Sequence, residues 1–141
     1  MNITDLNKLI SDFASQHLMI NDYRFGDISD ILTDNSIKYP LMITTPIATE
    51  ITDYSIRRKF TFIFADIQMT DDFNILSGIS QMEKIAVDFF TYIKTFEPND
   101  FTVEDSNMDV FYEKEDISLL GYTMDLTLIF NYSPNPCDIA I

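Results

Sequence analysis

Ile56-Arg57-Arg58-Lys59-Phe60-Thr61-Phe62-Ile63-Phe64-Ala65-Asp66 has a period of two. Ile56, Arg58, Phe60, Phe62 and Phe64 point one way, and Arg57, Lys59, Thr61, Ile63 and Ala65 the other, as successive side chains do along a β-strand. The phenylalanine face requires a helix packed over it. The Ile63–Ala65 end of the opposite face is apolar as well, so that end calls for its own cover. A second segment repeats the pattern without interruption. Tyr122, Met124, Leu126, Leu128, Phe130 and Tyr132 alternate with Thr123, Asp125, Thr127, Ile129 and Asn131.

Between these two strands the period changes. Ile75, Leu76, Ile79, Met82, Ala86, Phe89, Phe90 and Ile93 recur at helical spacing up to about Thr95, ahead of Pro98. Asp71 and Asp72 stand at its start, where carboxylates favour the positive end of a helix dipole. After the helix, Phe101, Val103 and Asp105 alternate, and residues 108–112 continue the strand past a bulge. Residues 113–116 form a charged hairpin connection. Upstream, Thr4 is in position to cap a first helix whose stripe is Leu6, Leu9, Ile10, Phe13 and His17, ending near Leu18. Residues 23–25 read as a short strand closed by Gly26, and residues 27–32 suit one or two helical turns. Residues 39–46 form a strand bounded by Pro40 and Pro46, and residues 47–53 an edge strand or hairpin arm. The order is α+β: a mainly antiparallel sheet of long strands with two helices packed on one face. No repeat or linker divides the chain, so residues 1–141 form a single structural domain, with 133–141 as a C-terminal tail.

Composition narrows the function. Nine Lys and Arg against 23 Asp and Glu give a formal charge of −14. That sign opposes gripping nucleic acid through its phosphates. Twelve Phe and seven Tyr, with 46% apolar residues, set the chain apart from an acidic disordered tail. A lone cysteine, Cys137, precludes an intrachain disulfide and a Cys-rich zinc site, and a lone histidine, His17, precludes most His-based metal and triad chemistry. Three glycines are too few for a phosphate-cradling loop. The start, Met1-Asn2-Ile3-Thr4-Asp5, has no basic region leading into an apolar run, and no segment reaches the roughly 20 apolar residues of a membrane-spanning helix. The expectation is a soluble protein from a reducing compartment.

No constellation of catalytic residues emerges, so neither an enzyme activity nor a cofactor is expected. Asp22, Asp27, Asp30 and Asp34 form one carboxylate group and Asp66, Asp71 and Asp72 another. The first lacks the glycine and terminal glutamate of a calcium loop, and capping and loop solvation account for it. His17 reads as a half-buried histidine at a helix end, and Cys137 as a small buried hydrophobe. Arg57, Arg58 and Lys59 have two readings: charges that protect a strand edge, or a cationic contact to an acidic patch on the next copy of the chain. The tail residues Cys137, Ile139 and Ile141 either fold back over the sheet or reach a neighbour. With Asp66, Asp71 and Asp72, these residues make up the candidate subunit interface.

Four stretches, taken together, resemble a known group. They are Asp27-Ile28-Ser29-Asp30-Ile31 ahead of Ile37-Lys38-Tyr39-Pro40-Leu41-Met42; Arg58-Lys59-Phe60-Thr61-Phe62-Ile63-Phe64-Ala65-Asp66; Asn74-Ile75-Leu76-Ser77; and Leu126-Thr127-Leu128 leading to Asn135-Pro136-Cys137-Asp138-Ile139. In this order and spacing they resemble small proteins encoded by tailed phages and prophages of Bacteroidetes hosts, including crAss-like phages. Their architecture is similar to tail-terminator and head–tail joining proteins. The resemblance implies a structural subunit of the virion neck or tail, made in the host cytoplasm. Such a subunit forms a homo-oligomeric ring that joins the portal or head to the tail or caps the tail tube. Its partners would be its own copies and neighbouring portal, connector or tail-tube proteins, with DNA passing through the channel unbound and no membrane involved. A second reading is an acidic adaptor or DNA-mimic inhibitor that binds a basic host protein.

Overall fold

The computed structural model describes residues 1–67, 73–112, 119–133 and 135–140, with the side chains of 73, 74, 105 and 138 outside that description. In chain order the elements are α1 (Ile3–Gln16), β1 (Asp22–Phe25), α2 (Ile28–Ile31), β2 (Leu41–Ile51), β3 (Ser55–Ile67), α3 (Phe73–Lys94), β4 (Thr102–Tyr112) and β5 (Leu119–Asn131), followed by a 3₁₀ turn at Pro136–Asp138. The fold is α+β. Among the described residues five strands make one mixed, mostly antiparallel sheet in the order β1-β2-β3-β5-β4. Among these strands only β1 runs parallel to its neighbour, pairing with residues 41–44 of β2.

The alternation read from the sequence sets the register. Phe60, Phe62 and Phe64 lie opposite Leu126, Met124 and Tyr122, all on the face that α1 and α3 cover. Phe13 of α1 and Phe89 of α3 meet edge-on with centroids 5.2 Å apart, and Phe89 also lies 4.6 Å from Phe62 and 5.8 Å from Phe64. One aromatic side chain therefore joins both helices to the central strand.

Among the described residues the opposite face is covered at one end only. Leu41, Ile43, Ile63, Ala65, Phe111 and Leu119 form a second, smaller core there, roofed by Ile28, Ile31 and Leu32 around α2 and by Ile37 and Tyr39. This is the cover that the apolar Ile63–Ala65 pair called for. It comes from the single helical turn at Ile28–Ile31, where the sequence suited one or two turns, on the face opposite the two longer helices.

Several local expectations are corrected. Asn2, not Thr4, caps α1: its Oδ1 accepts the Asp5 N–H at 2.8 Å, because the helix already begins at Ile3. The helix closes when the His17 N–H bonds to the Phe13 carbonyl, so Leu18 falls beyond the stripe and is almost wholly exposed. Leu76 is also exposed. It lies thirteen positions before Phe89, and at 3.6 residues per turn it comes round to the far side of α3, while Ile85 fills the stripe instead. The two proline-bounded segments of residues 39–53 merge into one strand. A bulge between Pro46 and Ala48 absorbs the extra residue, Ile47. A second bulge between Glu104 and Asn107 lets β4 keep Val103 and Met108 on the same face, as the break in its alternation required. The proposed start of α3 at Asp71 and Asp72 lies outside the described residues. Among the described residues no helix is long and apolar enough to cross a membrane.

A buried polar link ties α1 to the sheet. The Tyr23 hydroxyl lies 2.7 Å from Asn7 Oδ1 and 2.8 Å from Thr44 Oγ1, and Thr44 is fully buried. Burial pushes the phenol up to about 12, from an ordinary value of 10. The unfolded chain therefore loses this proton first. Its contribution is complete below pH 10 and declines as pH rises towards about 12, by on the order of 2 kcal/mol. Tyr23→Phe should cost about 1–2 kcal/mol at neutral pH, because it strands Asn7 and Thr44, and should flatten the alkaline limb of a urea-midpoint profile. An unchanged alkaline limb would count against this assignment.

Candidate interaction surface

The residues picked out from sequence separate along the strand axis. Arg57, Arg58 and Lys59 lie near the β2–β3 turn. Asp66 lies at the other end of β3, about eight residues or roughly 26 Å away, so one copy of the chain cannot bring them together. Asp71, Asp72 and Ile141 lie outside the described residues.

The basic triplet does not guard a sheet edge. β3 is the central strand, with β2 on one side and β5 on the other. On the face without α1 and α3, the Arg57 guanidinium reaches across β5 to grip Glu104 of β4. Its Nη1 is 3.2 Å from Oε2, and Nη2 bonds to Oε1. Arg57 Nε also lies 3.6 Å from Glu50 Oε2 on β2. This belt crosses the sheet, and its hydrogen bonds hold the Glu104 carboxyl below the usual carboxylate range. Arg58 points to the other face, stacking 4.6 Å over the Phe130 ring and donating to the Met1 carbonyl. Lys59 is exposed, and among the described residues it has no ion-pair partner. The chain's own acids and rings thus absorb most of the triplet's charge.

The carboxylates of the α2 end also have local work. Asp27 caps α2 by accepting the Ser29 N–H, and Asp34 accepts both the N–H and the hydroxyl of Ser36. Arg24 pairs with Asp22 at 3.0 Å and Asp34 at 3.5 Å. Among the described residues no three His, Cys, Asp or Glu side chains are grouped to hold a metal ion. His17 accepts the Met19 N–H at Nδ1, which places its proton on Nε2, 2.9 Å from Asp88 Oδ2. This hydrogen bond, and further down the helix Lys84, hold the Asp88 carboxyl below its ordinary 3.8. A lowered folded-state value stabilises the protein above pH 4 and is lost as pH falls through it. Asp88→Asn should therefore reduce the drop in the unfolding midpoint between pH 5 and pH 3. An identical acid limb in the variant would contradict the pairing.

The tail departs from expectation. Cys137 is exposed rather than buried, because Asn135 caps a tight 3₁₀ turn that keeps this segment short of the core. Ile139 is 61% exposed.

No family model and no curated relative matches the chain.

What the sequence did not single out is the β2–β3 arm. β1 covers residues 41–44 of β2, so residues 45–51 continue as an edge with no strand outside them among the described residues. Ile47, Ile51 and Tyr54 on this arm are 53%, 64% and 81% exposed. The Thr52 hydroxyl accepts the Tyr54 and Ser55 N–H groups and braces the turn, and the Tyr132 N–H donates to the Tyr54 carbonyl. The arm is held in place with its apolar side chains outward. The signal available in sequence was Ile47 and Ile51 standing in an otherwise polar stretch.

Proposed function

We propose that this chain is a structural subunit of a phage neck or tail that assembles with its own copies into a ring. The observation that carries the proposal is the braced β2–β3 arm, which leaves Ile47, Ile51 and Tyr54 exposed to solvent. Apolar side chains grouped on a rigid projection gain by being covered. The arm and the acidic α2 end, with Asp27, Asp30 and Asp66, lie at opposite ends of the long strands. That separation suits a heterologous head-to-tail contact, which closes into a ring when the rotation between copies allows it. The likeness to tail-terminator and head–tail joining proteins supplies the setting, with an acidic channel repelling the DNA that passes through.

The DNA-mimic reading gains less. Asp12, Asp22, Asp34, Glu50, Asp88, Glu97 and Glu104 are all engaged with the chain's own Lys, Arg or His. A phosphate-like row needs such groups free.

Native mass spectrometry and negative-stain imaging of the purified protein test the proposal. The expected result is a closed oligomer that Tyr54→Asp combined with Ile51→Asp reduces to folded monomers. A protein that stays monomeric at every concentration and is missing from phage particles would overturn it.

A further inference from the structure

The β2–β3 arm is one half of a contact, and a hollow on the helix-covered face supplies the other half. This hollow, of about 330 Å³, lies between α3 and strands β4 and β5 and is lined by Val87, Phe90, Ser106, Met108 and Met124. Val87 is 49% exposed, so one apolar wall stands open to solvent. Glu83, one turn before Val87 on α3, is exposed and accepts the Tyr122 hydroxyl at 3.1 Å. Among the described residues no Lys or Arg pairs with Glu83. The arm carries the matching pair. Ile47 is 53% exposed, and the residue after it, Ala48, lies in register with the exposed Lys59.

We infer that the hollow receives the arm of a neighbouring copy, with Ile47 seated against Val87 and Phe90 and Lys59 beside Glu83. The inference rests on the ring reading and names the surface that the arm meets. Spacing supports the match. On the arm, the apolar residue and the cation stand on adjacent strands, about 5 Å apart across the ladder. On the receiving copy, the apolar wall and the carboxylate are one helical turn apart, about 5.4 Å. Docking covers two exposed apolar side chains. The ion pair offsets, at the point of contact, the repulsion between copies that each carry −14. The braced arm cannot reach the hollow of its own copy. β3 and β5 separate β2 from β4, which puts the two surfaces roughly 14 Å apart across the sheet. Because the surfaces differ, the contact is heterologous, and an open row of copies ends in one unfilled hollow and one uncovered arm that ring closure joins. The α2 end offers the arm less. Asp27 and Asp34 already accept from Ser29 and Ser36, and Asp34 pairs with Arg24.

The test uses the full-length protein with Cys137→Ser, which removes its one exposed thiol. Copies carrying Ile47→Cys are mixed with copies carrying Val87→Cys and treated with a short bis-maleimide. The expected result is a cross-linked pair in the mixture and none when either variant is treated alone. Lys59→Glu and Glu83→Lys, both at exposed positions, should each weaken assembly roughly fivefold, and the two combined in one chain should restore it, with the circular dichroism spectrum unchanged throughout. An oligomer in which Ile47→Cys links to Asp30→Cys in place of Val87→Cys, or a double variant that assembles no better than the single ones, would overturn the inference and leave the ring standing. Self-linking of the Ile47→Cys copies, which marks a two-fold pair, or a protein that stays monomeric at every concentration would overturn both.

Discussion

Phe89→Ala is expected to lower the free energy of unfolding by about 3–5 kcal/mol, the range for removing a large buried aromatic from a packed core. Phe89 has no exposed surface and touches the rings of Phe13, Phe62 and Phe64. Its loss removes apolar area and also opens a cavity where α1, α3 and β3 converge. No nearby side chain can swing in, because Met82, Ile85, Ala86 and Ile93 already line the rest of the α3 seam. Most domains are stable by only about 5–15 kcal/mol, so the variant should lose a large part of its margin. Chemical denaturation read by circular dichroism checks this. Phe89→Leu, which keeps much of the volume, should recover at least half of the loss. A cost below about 1 kcal/mol for the alanine variant would mean that this ring does not hold the two layers together.

Gly121→Ala should cost at least about 4 kcal/mol, for a different reason. Gly121 sits in β5 between Ala65 of β3 and Phe111 of β4, with φ near +157°. A Cβ built there would stand 1.8 Å from the Phe64 carbonyl oxygen and 3.1 Å from the Ala65 Cα. The obstacle is main chain, not the tip of a flexible side chain. The β3–β5 ladder must therefore part, and the backbone must also leave a conformation that L-residues rarely adopt. The two substitutions differ in how they can be rescued. Trimming a neighbour, as in Ala65→Gly, should give no relief to Gly121→Ala, because the clashing oxygen remains. A Gly121→Ala protein of wild-type stability would show that β5 does not approach β3 as described.

Much of the fold was legible in the sequence because it depends on periods. A two-residue period over 56–66 and 122–132 can bury one face only if the strands pair in register, and the 3.6-residue stripe of α3 can bury its apolar side only against that face. Even the bulge in β4 was readable, since its alternation changes phase between Val103 and Met108. The candidate site was less legible. The cluster Arg57-Arg58-Lys59 looked like one patch. Alternation sends Arg58 to the helix side, and only the position of Glu104, two strands away, shows that Arg57 is already engaged. Cys137 carried the average behaviour of its residue type, burial. The cap at Asn135 sets a local turn that overrides it.

The sequence alone determined what local chemistry and periodicity can specify: which segments are strands and helices, which of their faces are apolar, and the strongly acidic balance. The order β1-β2-β3-β5-β4, the parallel placement of β1 and the second core under α2 were decided only in the tertiary structure. A strand's side chains state which face it buries but carry no label for the neighbour that completes its hydrogen bonds. That choice rests on contacts between residues far apart in the chain, and it leaves β4 and the outer half of β2 at the margins of the sheet.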